Sequence, residues 1–200
     1  MMQLSTAEIE KQIAGYKLQF DATKDDEIEW RFQPPAFVVS FIRFSDEFQR
    51  IPSQSEFAEF YVALNRATLN DEFSKWQPRE RPAKKRALLA RLGRAYPSFV
   101  RDVYLFALLR ENGVPVDYDT TQDVQAGVDL SVSIGTRKIQ VHVFLDSPRS
   151  LHGRAKKDQR HHFTGEHIDL VLRKTDCKIV GEFWLPTLEH VAQLKHTIFS

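Results

Sequence analysis

Between residues 126 and 144 the chain carries two neighbouring apolar segments, Ala126-Gly127-Val128-Asp129-Leu130-Ser131-Val132 and Lys138-Ile139-Gln140-Val141-His142-Val143-Phe144, each interrupted by polar groups. Their β-branched content reads as strand, and Gly135 between them supplies the turn of a hairpin. Side chains alternate along a strand, so Gln140 and His142 share one face while Ile139, Val141 and Val143 share the other. One face must therefore be covered by a core, and the other gathers Asp129, Gln140 and His142 at one end of a sheet. An acid, an amide and an imidazole in one place suit a metal or phosphate site.

Around this hairpin the apolar spacing predicts an α+β chain. Residues 4–20 read as an amphipathic helix on Leu4, Ile9, Ile13, Tyr16 and Phe20, and Phe37, Phe41, Phe44 and Phe48 suggest a second helix over 36–49. Pro52-Ser53-Gln54-Ser55-Glu56 caps a third, extending to Thr68 with Phe57, Phe60, Tyr61 and Leu64 inward. The proline-punctuated stretch from Trp76 to Pro82 is the expected boundary between a helical unit, 1–78, and a second unit, 79–200. That second unit is expected to open with a basic helix from Ala83 to Gly93 and a separate helix from Ser98 to Asn112, which Gly113 stops. Strands follow over 114–118, 128–134 and 138–145, then a helix over 149–162, strands over 168–172 and 179–184, and a closing helix over 187–199.

The net charge of +1 conceals a segregation of 28 basic and 27 acidic residues. The first 75 residues are acidic, whereas cations cluster at Arg79, Arg81, Lys84, Lys85, Arg86, Arg91 and Arg94 and again at Arg149, Arg154, Lys156, Lys157 and Arg160, followed by His161 and His162. Such clusters either track a phosphate backbone or form solvated helix faces. The lone Cys177 excludes an intramolecular disulfide and fits a reducing cytoplasm. No apolar run approaches a membrane span and the first residues lack the blocks of a signal peptide, so the expectation is a cytoplasmic protein with no membrane association.

The order helix, three strands, helix, strand, with an acid on the second strand and a polar-x-polar pair on the third, resembles the PD-(D/E)xK, or restriction-endonuclease-like, nuclease superfamily over residues 95–185. The resemblance implies an αβββαβ core with a mixed central sheet. It implies Asp129 as the central metal-ligating acid, Gln140 as the amide variant of the second ligand, Asp102 as the supporting acid of the preceding helix, and His142 in place of the usual lysine. The cofactor implied is Mg²⁺ or Mn²⁺, hard cations that take oxygen ligands and activate a water for in-line attack on phosphorus. Arg149, Arg154, Lys156, Lys157, Arg160 and His161 would then grip phosphates beside the site without reading bases. Two departures matter: Gln140 removes a negative charge, and a neutral histidine gives less electrostatic help than an ammonium.

Two functions follow as expectations. One is metal-dependent phosphodiester hydrolysis on nucleic acid, DNA before RNA, in a defence, restriction or mobile-element system. The other is a catalytically silent subunit that keeps the fold and binds nucleic acid or scaffolds a complex. The residues alone also allow blander readings, with Asp129 closing a turn after Gly127 and Gln140 and His142 on a half-exposed strand face. A zinc site is poorly supported, because His142, His152, His161, His162, His167 and Cys177 match no compact ligand spacing. Cys177 sits at a turn with no identifiable base, which argues against a nucleophile. The segment Arg50 to Phe57 resembles the start of a helix in a helix-turn-helix module, but its acidic surroundings make the Phe57, Phe60 and Tyr61 stripe better suited to a core or to docking a protein partner.

Overall fold

A computed structural model describes residues 3–118, 129–147 and 166–199. The helices α1 (Thr6–Ile13), α2 (Asp26–Trp30), α3 (Phe37–Phe48), α4 (Gln54–Leu64) and α5 (Arg66–Ser74) lead to a long helix, α6 (Arg81–Glu111). Strands β1 (Val116–Asp117), β2 (Leu130–Ile134), β3 (Arg137–Leu145) and β4 (Glu166–Leu172) follow. A hairpin of β5 (Lys178–Val180) and β6 (Phe183–Leu185) and a closing helix, α7 (Leu188–Phe199), end the described chain. The chain is α+β, with a helical N-terminal region and a four-stranded mixed sheet in the order β1-β2-β3-β4. The β1–β2 and β2–β3 pairs are antiparallel and the β3–β4 pair is parallel.

Local chemistry explains several boundaries. Ser5 and Glu8 form a reciprocal cap on α1, which therefore opens at Thr6 rather than at residue 4, and Ser53 with Glu56 does the same for α4, which begins where the sequence places it. The first helix nevertheless stops at Ile13 rather than continuing to residue 20. Beyond it the backbone finds partners outside a helix: the Leu18 amide donates to Glu182 and the Gln19 amide to Gln54. Asn65 separates α4 from α5, two helices where one was expected to end at Thr68. The two helices expected on either side of Tyr96-Pro97 are a single helix of 31 residues. Pro97 has no amide to offer the Gly93 carbonyl four residues back. The Gln54 side chain supplies that donor, its Nε2 lying 3.2 Å from the Gly93 oxygen and 2.9 Å from that of Gln19. A side chain at position 93 would occupy this space, since a Cβ there would stand 2.7 Å from Gln54 Nε2.

Residues 179–184 likewise form no single strand. Gly181, with φ of +58°, folds them into the β5–β6 hairpin, which pairs separately from the main sheet.

Helix α6 is the axis of the molecule. Every residue from Val100 to Leu109 is buried, as expected of a helix enclosed on all sides. It meets all five preceding helices, β1, β6 and α7. The buried apolar residues form one continuous cluster from Leu4 to Ile198, spanning the N-terminal helices and the sheet. Phe41, Phe57, Tyr96 and Phe99 interlock at ring-centroid separations of 5.3–6.1 Å, and Tyr96 also meets Phe183 of the hairpin. Burying each large side chain stabilises by about 1.5–3 kcal/mol. The hydroxyls of the three fully buried tyrosines all find acceptors, Tyr61 donating to the Pro35 carbonyl, Tyr96 to that of Pro52 and Tyr104 to the Glu10 carboxylate.

The charge segregation is resolved inside the fold. The acidic segment 21–29 lies along α6, where Lys84 binds Asp25 and Glu27, Arg86 binds Asp21, and Arg94 binds Glu29. Arg91 and Arg94 also donate to backbone carbonyls of this segment. Much of the first basic cluster is therefore a clamp within the molecule. Lys84, Arg91 and Arg94 are neither a phosphate track nor a solvated face.

Candidate functional site

The register of β2 against β3 builds the site. Leu130 stands opposite Val141, Ser131 opposite Gln140 and Val132 opposite Ile139. Leu130, Val132, Ile139 and Val141 are buried in the core, so the apolar face lies where alternation puts it. The other face carries Ser131, Gln140 and His142. The parallel partner extends it, with His167 opposite Gln140 and Asp169 opposite His142. The His142 and His167 rings lie 6.3 Å apart between centroids.

Asp129 immediately precedes β2, and its Oδ2 accepts the Val143 amide at 2.7 Å. That bond fixes the carboxylate against the backbone of β3, one residue from His142. Asp129 does more than close a turn. It is buried, as is His142, whose 1% exposure rules out a half-exposed strand face at that position. Gln140 is half-buried, yet its Oε1 is shielded from solvent and has no hydrogen-bond partner; the same holds for Ser131 Oγ across the ladder. Two sequestered oxygens without donors, beside a carboxylate, are costly unless something electropositive reaches them.

Asp102 is buried on α6, and so is its neighbour Arg101. Burial pulls the Arg101 guanidinium below its ordinary value, while Asp102, Cys177 and Asp129 act in the opposite direction. The helical acid and the strand acid thus bear on one cation. Sequence reasoning missed Arg101, Ser131, His167 and Asp169. For Arg101 a signal was present: Phe99 to Leu109 is apolar apart from the Arg101-Asp102 pair, so the pair had to be buried. Nothing in the sequence announced the β3–β4 register that adds His167 and Asp169.

Cys177 is a free, half-buried thiol that burial raises above its ordinary value, with Arg101 opposing. A thiol so held stays protonated and is a poor nucleophile. Among the described residues no group of three or more His, Cys, Asp or Glu side chains is arranged to hold a metal ion, and no helix is long and apolar enough to cross a membrane. Arg149, Arg154, Lys156, Lys157, Arg160 and His161 lie outside the described residues. No family model matches the chain, and neither the curated proteins nor the solved structures compared with it give a significant match.

Proposed function

We propose that the protein acts on the phosphodiester backbone of nucleic acid, DNA before RNA, by metal-dependent hydrolysis at the face bearing Asp129, Gln140 and His142. The observation that carries this reading is the β2–β3 ladder, which joins Ser131 to Gln140 while the Asp129 carboxylate is held on the Val143 amide. The order of α6, three antiparallel strands and a parallel fourth supports a restriction-endonuclease-like core.

The donor set fits a hard divalent cation such as Mg²⁺ or Mn²⁺. Asp129 offers charge and Gln140 Oε1 an unpartnered oxygen, with Ser131 Oγ beside it. When bound, such an ion supplies a water of lowered pKa and offsets charge on the phosphoryl oxygens. The remaining work falls to side chains. The Val143 amide keeps the Asp129 carboxylate oriented, and His142, on the same face as Gln140, accepts the proton of the attacking water.

A second reading, a catalytically silent subunit, is favoured by one observation. Gln140 is uncharged and one Asp129 oxygen is already engaged by an amide, which leaves little negative charge for a cation. In that case the helical region docks a protein partner, and its exposed apolar side chains include Phe48, Val62 and Leu89.

The test is incubation of the purified protein with plasmid, single-stranded DNA and RNA in Mg²⁺, Mn²⁺ or EDTA, alongside Asp129→Ala and Gln140→Ala. Hydrolysis that requires the metal and Asp129 is expected. Cleavage that survives Asp129→Ala overturns this site, and salt-sensitive binding without cleavage supports the silent subunit.

A further inference from the structure

The clamp along α6 uses Lys84, Arg86, Arg91 and Arg94 but leaves out Lys85. Lys85 is exposed, and its ammonium makes no ion pair or hydrogen bond with a described residue. Arg66, which opens α5, is exposed and unpaired among the described residues in the same way, at a helix end where positive charge is disfavoured. The fold brings these two cations to one cavity of about 150 Å³. Of its lining, Leu69, Phe73 and Leu88 belong to the core, whereas Val62 and Leu89 stand 41% and 43% exposed. The Lys85 ammonium lies 5.6 Å from the centroid of the Phe73 ring, so its charge is held against the apolar lining. Among the described residues no carboxylate lines this cavity.

Size and charge decide what fits there. Small-molecule sites run to roughly 300–1,000 Å³, whereas an apolar cavity of about 150 Å³ takes a group the size of benzene. This one suits a single large apolar side chain. Its rim carries two cations without counter-ions, so the chain bearing that side chain is acidic. The neighbouring cavity, which shares Leu89, supplies the contrast: its Arg86 is already bound to Asp21 and Glu59 adds negative charge, so it offers an acidic chain nothing.

We propose that α4, α5 and α6 dock an acidic segment of a protein partner, which seats one leucine, phenylalanine or tryptophan in this cavity and sets its carboxylates against Arg66 and Lys85. The inference rests on the partner-docking reading, to which it gives a place and a chemistry. The surface is built entirely from helices, apart from the β2–β3 face, so it does not depend on whether that face hydrolyses.

The test is fluorescence anisotropy with the full chain and short labelled peptides in which acidic residues flank one central leucine, phenylalanine or tryptophan. At least one of these is expected to bind, with an affinity that falls as salt rises. Alanine in place of the anchor, or glutamine in place of the acids, should weaken binding about tenfold or more. Leu89→Ser and the double variant Arg66→Glu, Lys85→Glu should do the same; all three positions are exposed, and unchanged unfolding midpoints would verify the fold. Charge exchange is the decisive arm: the double variant should bind the matching lysine-flanked peptide, which the wild type refuses. The proposal is overturned if no peptide binds, if anchor-free peptides bind equally well, or if charge reversal leaves the affinity unchanged. A concentration-dependent dimer that Leu89→Ser dissociates would give the cavity to a second copy of this chain, and an oligonucleotide that displaces the peptide through Arg66 and Lys85 would give the cations to phosphate; either result overturns the acidic partner. A wild type that binds nucleic acid without cleaving it and ignores every peptide loses this site while keeping the silent-subunit reading. Loss of the peptide in Leu89→Ser with cleavage of nucleic acid unchanged supports a docking surface independent of the strand face.

Discussion

Replacing Arg94 by methionine tests whether the acidic N-terminal segment is held by buried charge. The Arg94 side chain is 3% exposed and that of its partner Glu29 18%. The substitution removes two hydrogen bonds to backbone carbonyls, at 3.0 Å and 2.7 Å, and leaves Glu29 without its cation. Breaking a buried pair by deleting one partner costs about 3–5 kcal/mol. Water reaches part of Glu29, which places the expected loss near the lower end of that range, about 3 kcal/mol. Urea unfolding followed by tryptophan fluorescence reads this directly, since Trp30 ends α2 within reach of the segment. A companion Glu29→Gln should be milder, and the double variant should lose less than the sum, with a coupling of about 1–3 kcal/mol. A loss below about 1 kcal/mol, the value of a solvated surface pair, would refute the clamp and return the basic cluster to solvent.

Other consequences can be measured on the same footing. Gly181→Ala should destabilise by about 1–3 kcal/mol, because φ at 181 is +58° and a Cβ there meets the Ile13 and Ala14 carbonyls at 3.0 Å; an unchanged denaturation midpoint would contradict the packing of the hairpin on α1. Gln54→Ala should cost about 1–2 kcal/mol by stripping the Gly93 carbonyl of its donor, and less in a Pro97→Ala background, where the restored amide takes over; strict additivity in that cycle would show that Gln54 does not serve the proline. The hydrogen-bonded Arg50 guanidinium, with the Ser53 amide, holds the Glu56 carboxyl down at about 2 against an ordinary 4.5. Its contribution is therefore complete above pH 4.5 and is lost as the pH falls through about 2, so Glu56→Gln should flatten the stability curve across that window, and an unaltered acid slope would be inconsistent with the pair.

Periodicity and chain-local chemistry made much of this protein legible. The capping box of Ser53 and the Phe37–Phe48 stripe fixed where α4 and α3 begin. Alternation around Gly135 put Ile139 and Val141 in the core and Gln140 and His142 on the opposite face. These features depend on residues a few positions apart, so a reader of the sequence sees all the interacting groups at once. What only tertiary structure decided involves partners far apart in the chain. Pro97 should have divided α6, but Gln54, thirty-nine positions before Gly93, supplies the missing donor. The opposed charge blocks looked available to outside partners until the fold laid residues 21–29 on α6 and paired them. The β3–β4 register works in the same way, setting His167 opposite Gln140 and Asp169 opposite His142 across more than twenty positions of chain. Local patterning fixed the elements and their apolar faces; burial and long-range pairing determined which polar groups are spent holding the fold and which remain for chemistry.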